Sequence, residues 1–163
     1  MSGSRFVVGE PHFGRFTRTP EENDAALDAA RTELASVAEA LTVAGREQEA
    51  IALARPAVDV ARDTGRSETL RWALLVLATA EHYADEPVAA EAHFREALDH
   101  ARTSGDRVLE HYTLHHLGRF LVDAGRSAEA VPCFEACLVI RQELGEARAE
   151  TTRAALAALR APE

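Results

Sequence analysis

Histidine is the residue type in this sequence whose spacing could most readily do chemistry. Six of the seven histidines lie between His82 and His116, and His111 and His115 are four residues apart, which places both on one face of a helix. Two such side chains can hold a metal ion if a third ligand reaches them, and His100 could approach His111 across a short loop. No His-Glu-x-x-His motif is present. We expect histidines that face solvent or a polar seam, with a metal-binding protein or metalloenzyme centred on His100, His111 and His115 as the alternative.

Other catalytic chemistry has little support in the sequence. All 18 basic residues are arginine, which excludes a Schiff-base lysine and a phosphate-binding Gly-Lys-Ser/Thr loop. There is no Gly-x-Ser-x-Gly motif. The two cysteines, Cys133 and Cys137, lack the C-x-x-C spacing of a redox or metal site, so Cys137 is interpreted as a small buried side chain. The sequence thus predicts a protein that is not an enzyme and has no cofactor.

The charge and hydropathy of the chain restrict its partners and its location. A formal net charge of −9 argues against nucleic acid as the main partner, because phosphate binding needs clustered positive charge. No apolar run approaches the roughly 18 residues of a membrane span, and the N-terminus lacks the apolar core of a signal peptide. We expect a cytoplasmic protein that binds no membrane.

The chain repeats itself with a period of forty residues. The stretch from Asp106 to Leu144 predicts a helix, a short Ala-Gly-Arg-Ser break and a second helix, and its framework returns forty and eighty residues earlier. The equivalent positions include Leu114, Leu74 and Leu34; Gly118, Ala78 and Ala38; Ala130, Ala90 and Ala50; and Phe134, Phe94 and Ala54. A fixed period of this size is typical of a helical solenoid.

Helix-breaking residues predict where each helix begins and ends. The predicted ranges are 19–43 and 47–64 for the first pair, 67–84 and 86–104 for the second, 107–124 and 127–144 for the third, and 146–159 for a last helix that caps the array. Ser67 and Asp106 are the expected N-caps, and Pro56 predicts a kink or break. Glu81 stands where Leu41 and Leu121 stand in the other repeats, so we expect it to be exposed or paired.

The N-terminal residues differ from the repeats. Residues 1–18 have no helical periodicity but contain Phe6, Phe13 and Phe16. We interpret them as an extended or disordered arm, part of which docks on this molecule or a neighbour, followed by the helical repeat domain at 19–163.

The framework residues resemble the tetratricopeptide repeat family. That family has small residues at two helix-packing positions, an alanine between them and an aromatic residue four positions after that alanine. Here these are Gly118, Ala130, Phe134 and Cys137 in the third repeat, and Ala78, Ala90, Phe94 and Ala97 in the second. The forty-residue period exceeds the family's usual thirty-four, and Ala54 replaces the aromatic of the first repeat, so the chain looks like a longer-helix variant common in bacterial regulators. A HEAT-like array is the structural alternative.

The resemblance implies that partners bind the concave surface formed by the first helix of each pair. The first repeat would contribute Thr32 and Glu39. The other two would contribute Trp72, Leu75, Thr79, His82, Tyr112, His115, Arg119 and Asp123. Trp72 and Tyr112 occupy equivalent positions of adjacent repeats and should lie side by side, where they could anchor a peptide; alternatively, Trp72 fills the seam between helices.

The sequence therefore predicts an all-α solenoid of three helix pairs and a capping helix, which binds a protein or peptide segment without catalysis. A sensor domain that dimerises is a further possibility, and light scattering would detect a homodimer.

Overall fold

The computed structural model describes residues 37–38 and 40–161, and this part of the chain is a stack of α-helices without strands. The helices are α1 (the helical residues among 37–43), α2 (Glu47–Asp63), α3 (Ser67–Tyr83), α4 (Pro87–Ser104), α5 (Arg107–Asp123), α6 (Ser127–Glu143) and α7 (Ala149–Arg160). The predicted all-α solenoid of helix pairs is confirmed. The N-terminal arm, most of the first predicted helix, Thr32 and Glu39 lie outside the described residues.

A left-handed turn recurs every twenty residues and separates the helices. Five of the six turn residues are glycine, which adopts positive φ without steric cost. They are Gly45, Gly65, Gly105, Gly125 and Gly145, each with φ between 66° and 72°. The sixth is Asp85, at φ 60°. The forty-residue repeat is therefore built from two units of equal length.

Each helix packs against its neighbours in sequence from α2 to α7, and α3 also contacts α5. The core along this stack consists of small and branched side chains, with Ala90 and Ala130 fully buried where the repeat framework places alanine. Because α3 and α5 are both first helices of a pair, their contact creates a continuous surface of first helices. We call the surface formed by α1, α3, α5 and the segment that leads into α7 the first-helix surface.

Two phenylalanines fill equivalent places in the second and third pairs. Phe94 and Phe134 are both buried, and Phe134 lies against Gly118, whose counterpart in the second pair is Ala78. A Cβ atom on Gly118 would lie 2.9 Å from Cζ of Phe134, so the third pair has less room at this position than the second. The sequence pattern of small and aromatic residues thus corresponds to direct packing.

The helix ends agree with the predicted breaks to within one residue up to α6, but the details of capping differ. Asp106 caps α5 as expected, and its Oδ1 accepts a hydrogen bond of 2.9 Å from the backbone N–H of Leu109. Ser67 was expected to cap α3 and does not: it is the first helical residue, and Arg66 occupies the cap position without a side-chain cap bond. The local sequence therefore does not define the first residue of a helix to better than one position.

Two expectations about helix continuity are corrected. The helix α2 runs unbroken through Pro56, so the local break does not occur. The last helix begins at Ala149, three residues later than predicted, because residues 147–148 form a turn. That turn places Arg148 at the edge of the first-helix surface.

Glu81 is buried and paired. Its carboxylate has no exposed surface and lies 2.7 Å from Nδ1 of His93 and 3.5 Å from the guanidinium of Arg55. Of the two alternatives that the sequence allowed, pairing is therefore correct: Glu81 has polar partners where the next repeat has the buried Leu121.

Candidate functional site

A pocket of about 260 Å³ opens on the first-helix surface. It draws side chains from three successive first helices and from the turn before α7. Its lining residues are Ala38, Thr42, Trp72, Leu75, Val76, Thr79, Tyr112, His116 and Arg148. The pocket therefore depends on the register of the repeats, since no single helix pair could form it.

Two aromatic rings form one wall of the pocket. The centroids of Trp72 and Tyr112 are 6.0 Å apart, and their planes are inclined by 59°, so the rings lie side by side as the repeat register predicted. Both side chains are partly buried, with the remainder facing the pocket. This amphipathic, half-exposed pair has the character of residues that anchor protein partners.

Arg148 holds Tyr112 in place. Its guanidinium donates a hydrogen bond of 2.6 Å to the tyrosine hydroxyl, and its central carbon lies 5.4 Å from the ring centroid. The guanidinium therefore interacts with both the hydroxyl group and the ring face of the same aromatic side chain. The pocket thus combines an aromatic wall with a fixed positive charge.

The two threonines that line the pocket direct their hydroxyl groups to their own helices. Thr42 donates to the backbone carbonyl of Ala38 at 2.9 Å, and Thr79 donates to that of Leu75 at 2.8 Å. Their methyl groups and the neighbouring Val76 make this side of the pocket largely apolar. Neither hydroxyl is arranged as a nucleophile with an adjacent base.

A buried arginine lies behind the histidines of α5. Arg141 is 2% exposed, and its guanidinium donates hydrogen bonds to the hydroxyl of Thr152 at 2.6 Å and to the carbonyl of Arg148 at 3.1 Å. A longer contact of 3.4 Å joins its Nε to Nδ1 of His111, which is fully buried. The capping helix α7 therefore completes the environment of this charge.

Burial and this positive charge keep the neighbouring histidines neutral. Burial, reinforced by Arg141, lowers the pKa of His115 to about 3 and the pKa of His116 to about 4. The same two causes lower the pKa of His111. At neutral pH these rings are uncharged, so the positive charge near the pocket comes from arginine.

His82 and Asp123 close the far end of the first-helix surface. Nε2 of His82 lies 3.0 Å from Oδ2 of Asp123, and its ring packs edge-on against Phe120 with centroids 5.4 Å apart. Burial lowers the pKa of His82, and the neighbouring Asp123 opposes that shift. This contact connects α3 to the end of α5.

The residues predicted from the sequence divide into four groups. Trp72, Leu75, Thr79 and Tyr112 line the pocket, and His82 is joined to Asp123 outside it. Arg119 is exposed on α5. His115 packs its ring against Phe134, with centroids 5.6 Å apart, and so faces α6 more than the pocket.

Sequence reasoning missed Ala38, Thr42, Val76, His116 and Arg148. Val76 and His116 are equivalent positions of adjacent repeats, forty residues apart, and each directly follows a residue that was predicted, Leu75 or His115. The repeat pattern could therefore have indicated them. Arg148 was missed because the last helix was treated only as a cap, although it occupies the first-helix position of a fourth repeat.

The structure does not assemble the histidines of the alternative metal site. His111 faces Arg141, whereas Nε2 of His100 lies 3.9 Å from a carboxylate oxygen of Glu96 on its own helix. Over residues 37–38 and 40–161, no group of three His, Cys, Asp or Glu side chains is placed to hold a metal ion. Cys137 is buried and free, as expected, and its thiol donates to the carbonyl of His111.

Comparison with known families identifies one repeat. Residues 112–144 match the family model described as a tetratricopeptide repeat, a stretch that begins at the pocket residue Tyr112 and includes most of α5 and all of α6. The match favours this family over the HEAT-like alternative. No match was found among curated proteins. None of the described helices has the length and apolar character needed to cross a membrane.

Proposed function

We propose that this chain is a non-catalytic module that binds a protein segment on its first-helix surface, because residues 112–144 match the tetratricopeptide repeat model. The pocket between Trp72 and Tyr112 receives one side chain of that segment. Repeats of this family generally bind other proteins, which supports the general role, and the pocket supports the location that we propose.

The observation that carries this proposal is the half-buried aromatic pair in the pocket wall. The pocket volume of about 260 Å³ is slightly below the roughly 300–1,000 Å³ of typical small-molecule sites, but the pocket accommodates a single large side chain. Trp72 and Tyr112 provide apolar contact area with little loss of side-chain entropy on binding, because each ring has only two side-chain torsions.

The chemistry of the pocket supports binding more than catalysis. The hydroxyl groups of Thr42 and Thr79 are bonded to backbone carbonyls, and His116 is neutral at physiological pH with a pKa of about 4. A general base works best with a pKa near the operating pH, and His116 is far from that value.

Intrinsic fluorescence tests the proposal, because Trp72 is the only tryptophan in the chain. Random twelve-residue peptides displayed on phage would be selected on the full chain, and the enriched peptides synthesised and titrated. We expect saturable changes in Trp72 emission. Val76→Phe, which fills the pocket, and Tyr112→Ala, which removes a wall, should each weaken binding at least tenfold, equivalent to about 1.4 kcal/mol.

Val139→Phe is the matched control, because Val139 is 51% exposed on α6, away from the lining residues. It should bind the peptides as the wild type does. Enriched peptides that leave Trp72 emission unchanged, or that bind the Val76→Phe variant with wild-type affinity, would refute the location that we propose.

A further inference from the structure

Among the described residues of this acidic protein, most arginines have a carboxylate partner. Arg126 lies 2.7 Å from Glu91, and Arg71 lies 3.2 Å from Asp106, so ion pairs connect successive helices. Similar pairs occur throughout the stack. Over the described part of the chain, Arg119, Arg141 and Arg148 form no ion pair.

These three arginines lie around the same two histidines. Each of them disfavours the charged form of His115 and of His116, and His116 and Arg148 line the pocket together. Arg148 is fixed on Tyr112, Arg141 is buried behind the pocket, and Arg119 is exposed on α5. Three positive charges without an ion-pair partner among the described residues therefore lie close to the pocket.

No acidic side chain of the described residues forms an ion pair with these three arginines. Asp123 is bonded to His82, and the charge of Glu146 acts on His111 without forming an ion pair with any of the three arginines. A chain with a net charge of −9 has many carboxylates that could have paired with them. The first-helix surface thus presents a positive site on an otherwise negative protein, which favours the approach of an anionic partner.

We propose that the occupant of the first-helix surface is an extended protein segment with acidic side chains, whose carboxylates bind Arg119 and Arg148 while a neighbouring side chain enters the pocket. This inference rests on the proposed function and specifies its partner. Guanidinium groups bind carboxylates through charge-assisted, often bidentate hydrogen bonds, and these two have hydrogen-bonding capacity that no carboxylate of the described residues uses.

The spacing of the two arginines favours side-chain carboxylates over a single chain terminus. Tyr112, which holds Arg148, and Arg119 are seven residues apart on α5 and share one helix face. At 1.5 Å per residue their positions differ by about 10 Å along the axis. An extended peptide covers about 10 Å in three residues, so acidic side chains with this separation reach both guanidinium groups.

The phage selection described above tests this inference when the peptides are synthesised with amidated C-termini. We expect the enriched peptides to contain at least two Asp or Glu residues about three positions apart, next to a large apolar residue. Replacing these acids by Asn or Gln should weaken binding at least tenfold. Arg119→Gln should weaken binding of the acidic peptides about tenfold, and raising the salt concentration should weaken it further.

Arg153→Gln is the matched control, because it removes the same charge from an arginine that is about half exposed on α7 and paired with Glu150. It should leave peptide affinity unchanged. Enriched peptides without acidic residues, or equal binding by wild type and Arg119→Gln, would overturn the inference while leaving a pocket-dependent interaction intact. If no peptide is enriched, both the inference and the proposed function fail.

Discussion

The second and third helix pairs have the same framework but bury opposite charges. Between α3 and α4 the buried charge is the carboxylate of Glu81, and two cationic or proton-donating partners, His93 and Arg55, face it. Between α5, α6 and α7 the buried charge is the guanidinium of Arg141, which is bonded to neutral groups alone. The first charge is compensated within the fold. The second is left to act on the first-helix surface, which is where we propose that a partner binds.

The largest effect should come from removing the charge in the third pair. Arg141→Ala leaves the Thr152 hydroxyl and the Arg148 carbonyl without their donor and opens a cavity under α7, so the free energy of unfolding should fall by about 3 kcal/mol. Urea denaturation followed by circular dichroism would measure this loss. The exposed control Arg153→Ala should change stability by less than about 0.5 kcal/mol. Equal effects of the two variants would show that Arg141 does not anchor the capping helix.

A second difference between the pairs is the small residue over each phenylalanine. Gly118→Ala reproduces the alanine that the second pair has at position 78, but its Cβ would lie 2.9 Å from Phe134. Crowding of this kind costs roughly 1–3 kcal/mol, measurable as a lower urea midpoint. An unchanged midpoint would mean that α5 and α6 can separate to the spacing of α3 and α4.

Removing the charge of Glu81 should lower the free energy of unfolding less than removing Arg141. Glu81→Gln keeps the shape of the side chain and one acceptor for His93, but it removes the charge opposite Arg55. Because Arg55 is about half exposed, water can replace much of what it loses, and we expect a loss of about 1–2 kcal/mol in thermal or urea unfolding. A loss larger than that of Arg141→Ala would reverse the comparison between the two pairs.

The smallest effect should be the pH dependence that the third pair introduces. His115 and His116 have folded-state pKa values of about 3 and about 4, against 6.5 when exposed. As the pH falls below 6.5, these two histidines become protonated in the unfolded chain but remain neutral in the folded chain. The free energy of unfolding is therefore highest above pH 6.5 and decreases towards pH 4. We expect a decrease of roughly 0.5 kcal/mol per pH unit between pH 6.5 and 5, after allowance for solvent screening.

His116→Gln should reduce this slope, because it removes one of the titrating groups. Carboxylates such as Glu91, whose pKa is lowered by Arg126, add their own loss of stability only at lower pH. A wild-type stability that stays constant from pH 7 to 5 would contradict the burial of these histidines.

The fold was predictable because it depends on repeated local signals. Glycine at the turns, small residues such as Ala78 and Gly118, and the phenylalanines opposite them recur with a fixed period, and each has a simple steric role. Capping was less predictable. At the start of α3, Arg66 and Ser67 are both compatible with the first turn, and one residue of difference costs little free energy.

The candidate site was only partly predictable, because it forms where several repeats meet. The register that gave Trp72 and Tyr112 placed them correctly side by side. It could not show that His115 turns towards Phe134 while His116 lines the pocket, since adjacent residues of a helix differ by about 100° in direction. Arg148 reaches the pocket because residues 147–148 form a turn before α7, and helix propensities do not define where that turn ends.

The most direct test of the account is a crystal structure of the full chain with one of the acidic peptides selected on it. We predict an extended peptide on the first-helix surface, with one apolar side chain between Trp72 and Tyr112 and carboxylates against Arg119 and Arg148. A peptide bound elsewhere on the stack, with the pocket empty and these arginines exposed to solvent, would contradict it.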